Sequence, residues 1–416
     1  MKYQTAFTLG TVATLLCGAA FADGHAACGP DGQSIRVLGS DFPAIQAVTA
    51  TAESNCGGAA GEFVINLRDD TRDMMNQALT PTPAQYTSVI VANATLTQLM
   101  NDGLVRPLDD LVEKYGGDLN PNQFITLDGS IMAVAFMANS QHLYVRTDIL
   151  EEAGVEGIPS TVEEVVAAAE AIRAAGIMEH PIVMNATGWN MGELFNLFYF
   201  GHGGSLFETG SAEPSINNET GMAALASIAS LAEYAHPDYL SHASNETQGL
   251  WEAGQAALGI MWGSRGDAIL DAEGSTPEVT DNTLLVGAPT VGGGSTPVAT
   301  LWWDGITIAK NVSDEEAEAT FAALVSTLTA DLMAEHNDDA IWLVDGFVQG
   351  PAAAGVAETA QGGASPYPMI PYINLMHNAV SAELADFLKG DETAEETLAD
   401  IEAAYVTAAK EAGFLQ

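Results

Sequence analysis

The residues best suited to chemistry in this 416-residue chain are its tryptophans and the polar side chains beside them. Trp302 and Trp303 run directly into Asp304 and Gly305, and Trp262 leads into Gly263, Ser264 and Arg265. Trp189 and Asn190 sit inside Gly188-Trp-Asn-Met-Gly-Glu193, while Trp251 and Trp342 read as core. Indoles beside carboxylates, amides and an arginine suit a ligand with apolar faces and a belt of hydroxyls, the surface a sugar ring presents. Metal and nucleophilic chemistry find no pattern. The eight His form no HExxH and no close pair at metal spacing, the cysteines form no CxxC, and the glycines form neither a Walker A nor a GxGxxG loop. No catalytic residue, metal or cofactor is assigned.

These residues need elements that bring them to one edge. Residues 34–40 (SIRVLGS), 62–67 (EFVINL) and 88–92 (SVIVA) predict buried strands, alternating with helices over 43–55, 69–79 and 95–103. Such alternation predicts an open, mostly parallel sheet whose ligands collect at the carboxyl ends of its strands. Asp41 and Phe42 after the first strand and Asn93 after the third are therefore candidates. A second alternating region follows, with strands at 142–146, 181–184 and 257–262 and helices at 161–175, 191–200 and 220–235. Thr161-Val-Glu-Glu164 is a capping box that opens the first of those helices. A strand at 306–309, a helix at 313–329 and a terminal helix at 392–411 complete the pattern. No repeat and no long linker separates independent domains, so two α/β lobes joined by several crossovers are expected.

Composition limits the partners. Twelve Lys and Arg stand against 55 Asp and Glu, a formal charge of −43, which repels phosphate backbones and anionic lipid heads. Nucleic-acid and peripheral membrane binding are excluded on that ground, and the acidity suits solubility in a salty medium. Residues 1–22 read as a cleaved signal peptide: Lys2 supplies the basic start, an apolar run follows, and Ala20-Phe21-Ala22 is the cleavage site. No later stretch is apolar for about 18 residues, so no membrane span is expected. Removal of that segment takes away Cys17 and leaves Cys28 and Cys56. An even count in an exported chain reads as one disulfide, the alternative being two free buried thiols. The bridge would be worth roughly 3–4 kcal/mol by loop entropy.

Five segments, read in order, resemble the family 1 extracellular solute-binding proteins of ABC importers. They are GLVRPLDD at 103–110; DGSIMA at 128–133 with LYVRTDIL at 143–150; EAG at 152–154 with PSTVEE at 159–164; GQAALGIMW at 254–262; and the Pro-rich 366–375 before the terminal helix. Val162 stands where the family usually carries Trp, Arg146 where it usually has Asn, and Ala135 where a proline is expected.

The resemblance implies a type II periplasmic-binding-protein fold: two lobes, each a mostly parallel sheet flanked by helices, with the ligand cleft between them. It implies lobe 1 from residues 23–140 and 300–350, lobe 2 from 141–299 and 351–416, and crossings near 139–141, 301–305 and 350. Ligand contacts are expected at those crossings, from Asn139, Gln141, Trp303 and Asp304. Alternation puts Trp302 and Trp303 on opposite faces, and Trp303 is the one expected in the cleft. Trp189, Asn190, Trp262, Arg265 and Tyr367 complete the expected set. The resemblance further implies a monomeric periplasmic protein that captures a carbohydrate and presents it to a membrane permease, without covalent chemistry. Alternatives are a polyol or quaternary-amine osmolyte as ligand, or an exported polysaccharide-active enzyme.

Overall fold

A computed structural model of the chain describes residues 28–416 apart from Asp69. The signal-peptide reading of residues 1–22, with its cut after Ala22, lies outside the described residues. The described residues form eleven strands: β1 Ser34–Gly39, β2 Glu62–Leu67, β3 Ser88–Ala92, β4 Phe124–Leu127, β5 Ser130–Arg146, β6 Ile182–Val183, β7 Leu258–Trp262, β8 Thr283–Val286, β9 Thr300–Ile306, β10 Ile341–Trp342 and β11 Ser365–Pro366. Hydrogen bonding orders them β2-β1-β3-β9-β5-β7-β6, with β4, β8 and β10 also on β5 and β11 on β9.

The sheet is parallel at β2-β1-β3 and at β6-β7, as the alternating strands and helices predict. It is antiparallel wherever β5 and β9 take part, apart from the parallel β11–β9 pair. The 17-residue β5 is the pivot. Its residues from Val134 to Ser140 pair with β9, and those from Gln141 to Val145 pair with β7. One strand thus leaves one sheet neighbourhood and enters another between Ser140 and Gln141.

Two hydrophobic clusters lie on the first side of that passage, one around Val37, Phe136 and Phe321 and one around Leu38, Leu96 and Ala133. Two others lie on the second side, one around Tyr144, Trp251 and Met261 and one around Phe195, Ile228 and Tyr405 that also takes in Ala92, Ala94 and Trp302 from the first. The helix Pro43–Cys56 packs on the helix Asp314–Val325, and the helix Trp189–Gly201 packs on Glu219–Ala232 and Ile373–Lys389. Local chemistry starts these helices where expected: the Thr161 hydroxyl accepts from the Glu164 N–H at 3.2 Å, and the Glu164 carboxylate accepts from the Thr161 N–H at 3.3 Å. Ser313 and Glu316 repeat the arrangement. Cys28 and Cys56 are bridged, with Cα atoms 5.4 Å apart, which ties the chain before β1 to the end of the helix after it.

Candidate functional site

A cavity of about 280 Å³ opens between the two sides, at the level where β5 and β9 cross. Sheet register builds its floor. Asn139 of β5 lies opposite Trp302 of β9, Gln141 lies opposite Trp262 of β7, and Asp304 of β9 lies opposite Ala92 of β3. Asn139, Trp262, Trp302, Asp304 and Ala92 all line the cavity. The turn after β1 adds Ser40 and Phe42.

The second side supplies the rest. Gly188 has φ 56°, a left-handed backbone that lets the chain turn abruptly into the helix Trp189–Gly201 and delivers Trp189 and Asn190 to the cavity. Asn190 accepts from the Trp262 indole N–H at 3.3 Å. Asn139 holds the loop after β7: its amide donates to Ser264 Oγ at 3.2 Å and its carbonyl accepts from the Ser264 N–H at 3.2 Å. Ser264 and Arg265 of that loop line the cavity too, with Arg265 donating to Gln248 at 3.3 Å, and Ser244 closes the wall.

Three indoles form one aromatic wall. Trp189 and Trp262 stand at an interplanar angle of 30° with centroids 6.4 Å apart, and Trp302 meets both edge-on at 5.2 and 5.9 Å. Behind them Tyr367 lies 4.1 Å from Trp302, and His377 stacks on Trp189 at 4.3 Å. The His377 hydrogen bonds fix its tautomer. Nε2 is 2.8 Å from the Trp189 carbonyl, an acceptor, so Nε2 carries the proton, and Nδ1 accepts from the Tyr367 hydroxyl at 2.9 Å. Burial pushes the imidazole down to about 3, which keeps it neutral in that role.

Glu193, 2% exposed, sits beneath the wall. Its Oε1 accepts from Gln141 of β5 at 3.0 Å, from the Trp302 indole at 3.2 Å and from the Thr300 hydroxyl. Burial raises its carboxyl to about 7 against the pull of those donors. Across the cavity the Arg72 guanidinium lies 3.9 Å from the Trp189 ring centre. Burial lowers the Arg72 pKa, and Asp304 is the largest group opposing that shift. Burial also pushes Asp304 up to about 7, with Arg72 pulling it back.

The structure brings seven of the sequence candidates to the cavity: Phe42, Asn139, Trp189, Asn190, Trp262, Arg265 and Asp304. Trp303 is a correction. It packs against the core cluster around Leu38, Leu96 and Ala133, and Trp302 holds the cavity face. Alternation gives the reason, because residues 302 and 304 share a face of β9, so the indole beside Asp304 in the cleft has to be Trp302. Asn93 and Gln141 are buried behind the cavity. Asn93 accepts from the Trp303 N–H at 3.0 Å and donates to the Leu301 carbonyl at 3.3 Å, clamping β9 to the end of β3. Tyr367 is buried beneath Trp302, and Asp41 faces solvent, accepting from Gln46 at 2.7 Å. Sequence reasoning missed Arg72, Trp302 and the three serines. Arg72 opens the helix that follows β2, a strand end of the same kind as those that pointed to Phe42 and Asn93.

Residues 75–329 match the profile of a family described as bacterial extracellular solute-binding protein. The fold is also found in solved structures. The maltose-bound MalE3 of T. maritima superimposes with a TM-score of 0.79 at 18% identity, covering 91% of this chain and 100% of that one. A ribitol-bound ABC transporter solute-binding protein of Agrobacterium radiobacter K84 has the same TM-score at 20% identity, covering 92% and 99%. A probable ABC transporter-binding protein of Deinococcus radiodurans is 29% identical over 145 residues, a match that takes in 33% of this chain and 34% of that relative's length. The architecture shared with the solved structures is two-lobed. Among the described residues no helix is long and apolar enough to cross a membrane.

Proposed function

Because the chain belongs to the bacterial extracellular solute-binding protein family, we propose that it is the periplasmic capture component of an ABC importer and that its solute is a sugar or a sugar alcohol. One observation carries this reading: three contiguous indoles and the polar groups Asn139, Asn190, Asp304 and Arg72 converge on one cavity at the strands that join the lobes. The indoles cover carbon faces, and the amides, carboxyl and guanidinium each bond one or two hydroxyls. Maltose in the T. maritima relative and ribitol in the Agrobacterium one are ligands of this chemical kind.

On this reading residues 23–140 and 300–350 form one lobe and 141–299 and 351–416 the other; three of the core clusters each fall within one lobe, and the fourth belongs to the second apart from Ala92, Ala94 and Trp302. The exported monomer, freed of residues 1–22, closes on its solute by a shift in population set by the solute's preference for the closed form, and the closed form is what the permease receives. A quaternary amine fits less well, because the Arg72 cation already occupies the face of Trp189. Glycoside cleavage needs two carboxyl groups at the scissile bond. The matching family and the Agrobacterium structure are both described as solute-binding proteins, which supports capture rather than cleavage.

Thermal unfolding against monosaccharides, disaccharides and alditols at about millimolar concentration tests the reading. A ligand at about 100 times its Kd adds roughly 2.7 kcal/mol to the folded state, so one compound class should raise Tm by several degrees. A shift with quaternary amines alone, or none with any compound, would overturn the sugar assignment.

A further inference from the structure

Resting on the reading of the chain as two lobes that close on a solute, a contact that ties those lobes across the cavity itself acquires a role. Arg72 sits in the first turn of the helix Thr71–Leu79, whose Met75, Ala78 and Leu79 are buried with Leu38 and Leu96 in a core of the first lobe. Trp189 starts the helix Trp189–Gly201 and packs against the core around Phe195 and Ile228 in the second. The Arg72 guanidinium nonetheless lies 3.9 Å from the Trp189 ring centre, and both residues line the cavity. Both also lie outside the strands that cross between the lobes, so the contact depends on how far the lobes have closed.

The two partners differ in freedom. His377 stacks on Trp189 at 4.3 Å with 19° between the planes, and its Nε2–H donates to the Trp189 carbonyl at 2.8 Å. Trp302 meets the same indole edge-on at 5.2 Å. Two groups so near one ring centre must take opposite faces, so His377 backs the indole and the other face carries Arg72. Burial pushes the imidazole down to about 3, which keeps it neutral, and it does not compete with the guanidinium as a second cation on the ring. Trp189 is thus a fixed plate in one lobe, and Arg72 reaches it from the other on a flexible methylene stem. A planar guanidinium lies flat on an indole, the best of the aromatic partners for a cation, and the attraction grows as water is removed. Burial lowers the Arg72 pKa, as removal of water from a cation does.

We propose that the Arg72–Trp189 stack is a latch between the lobes, which forms as the cleft closes and breaks as it opens. Arg72 is then a positioning residue for capture that acts through Trp189. Trp262 and Trp302 remain for the carbon faces of the solute while the guanidinium covers Trp189. The stack uses no solute atom, so it populates the closed form before the solute arrives. Apparent affinity scales with the population of the competent form, so the latch raises it for every solute of the site, by about tenfold for a stack of this kind.

Pulsed electron resonance between nitroxides at Q77C and N245C tests the latch with the Cys28–Cys56 bridge intact. Both positions are exposed, Gln77 on the helix that carries Arg72 and Asn245 beside the cavity residue Ser244. Solute-free wild type should show a short-distance population that R72Q loses. R72K should restore part of it, because an ammonium keeps the charge but not the planar stack. W189F should also lose part of it, and R72Q combined with W189F should widen the cleft no further than R72Q alone, since both act on one contact. All of these variants should melt near the wild-type temperature, a separation that a merely structural role would not produce. Equal solute-free distances in wild type and R72Q, or additive widening in the double variant, overturn the latch. Should maltose or ribitol still shorten the distance in both proteins, capture of a sugar or sugar alcohol stands without it. A short population lost in R72Q while monosaccharides, disaccharides and alditols move neither Tm nor distance keeps the latch and removes the sugar assignment.

Discussion

The indole N–H of Trp302 donates to Glu193 Oε1 at 3.2 Å, joining the crossing strand β9 to the buried helix Trp189–Gly201. Gln141 of β5 donates to the same oxygen at 3.0 Å, so one carboxyl oxygen gathers both crossing strands. The aromatic wall is thus held from behind by a hydrogen-bonded node, and Trp302 takes its place through that node rather than through packing alone. Loops that carry binding residues on such a rigid support order less on binding, and so keep more of the interaction energy as affinity.

Glu193 makes stability depend on pH. Its carboxyl, pushed up to about 7 by burial, binds its proton more tightly in the folded chain than in the unfolded one, where it titrates near 4.5. The folded state therefore loses ground as pH rises from about 4.5 through 7, by on the order of 3 kcal/mol in total. His142 and His377, held down to about 4 and 3, act in the opposite direction, costing stability as pH falls below the ordinary histidine range. The difference between wild type and E193Q isolates the carboxyl, since glutamine still accepts from Trp302. Urea unfolding of both at several pH values should show wild type losing its advantage over E193Q across that window. A pH-independent difference would mean that Glu193 is already ionised in the fold.

The two neighbouring indoles should separate cleanly. Trp302, 5% exposed, lines the cavity and Trp303 packs into the core beyond it. W302A should weaken solute binding by about a hundredfold, the scale of a buried aromatic anchor. W303A should cost about 2–3 kcal/mol of stability for a partly buried ring and change affinity less than twofold. Titration and urea unfolding of both variants decide it, and the reverse pattern would exchange their roles.

Much of this was legible in the chain because the relevant signals are local. Strands 62–67 and 88–92 fall where their apolar runs place them, and the Thr161 capping box opens its helix. The β5 strand was half-read. Residues 130–137 (SIMAVAFM) carry Ala and Met, which favour neither period, so only 142–146 stood out as strand. The strand expected at 306–309 overlaps β9 only at Ile306, because β9 runs through the Trp-Trp-Asp segment before it and Ala309 keeps only an isolated bridge to Val105. The helix Ile373–Lys389, which packs on both the helix Trp189–Gly201 and the following helix Ala394–Glu411, is not among the expected elements. Arg72 over Trp189 is likewise a contact between elements that no spacing announces. Trp302 is different: alternation already tied it to Asp304.

Arg146 tests whether a departure from the family pattern is structural. It is 3% exposed, and its guanidinium donates to both oxygens of Asp148, at 2.9 and 2.6 Å, at the far end of β5 from the cavity. Removing Arg146 empties the buried space its guanidinium fills and leaves Asp148, whose side chain is 28% exposed, without its cation. R146A should therefore cost about 3 kcal/mol in urea unfolding, with R146K recovering only part because lysine cannot bond both oxygens. Solute affinity should not move. A cost under about 1 kcal/mol would mark the pair as an ordinary surface bridge.

Gly192 is where packing behind the site should be felt in front of it. A Cβ there would lie 2.6 Å from the His377 ring, the His377 carbonyl and Ser381 Oγ, so the helix Ile373–Lys389 would have to move away. His377 stacks on Trp189 and donates to its carbonyl, so that movement displaces one wall of the cavity. G192A should lower solute affinity at least tenfold while touching no ligand atom, and cost about 1–3 kcal/mol from overpacking. Gly249 supplies the contrast: it is exposed in the helix Ser244–Glu252 with open space around its Cβ, so G249A should stabilise by about 0.5–1 kcal/mol and leave affinity alone. Calorimetric titration beside thermal unfolding reads both effects. If G192A melts early yet binds as wild type does, His377 does not position Trp189, and the indole holds its place through Trp262 and Trp302.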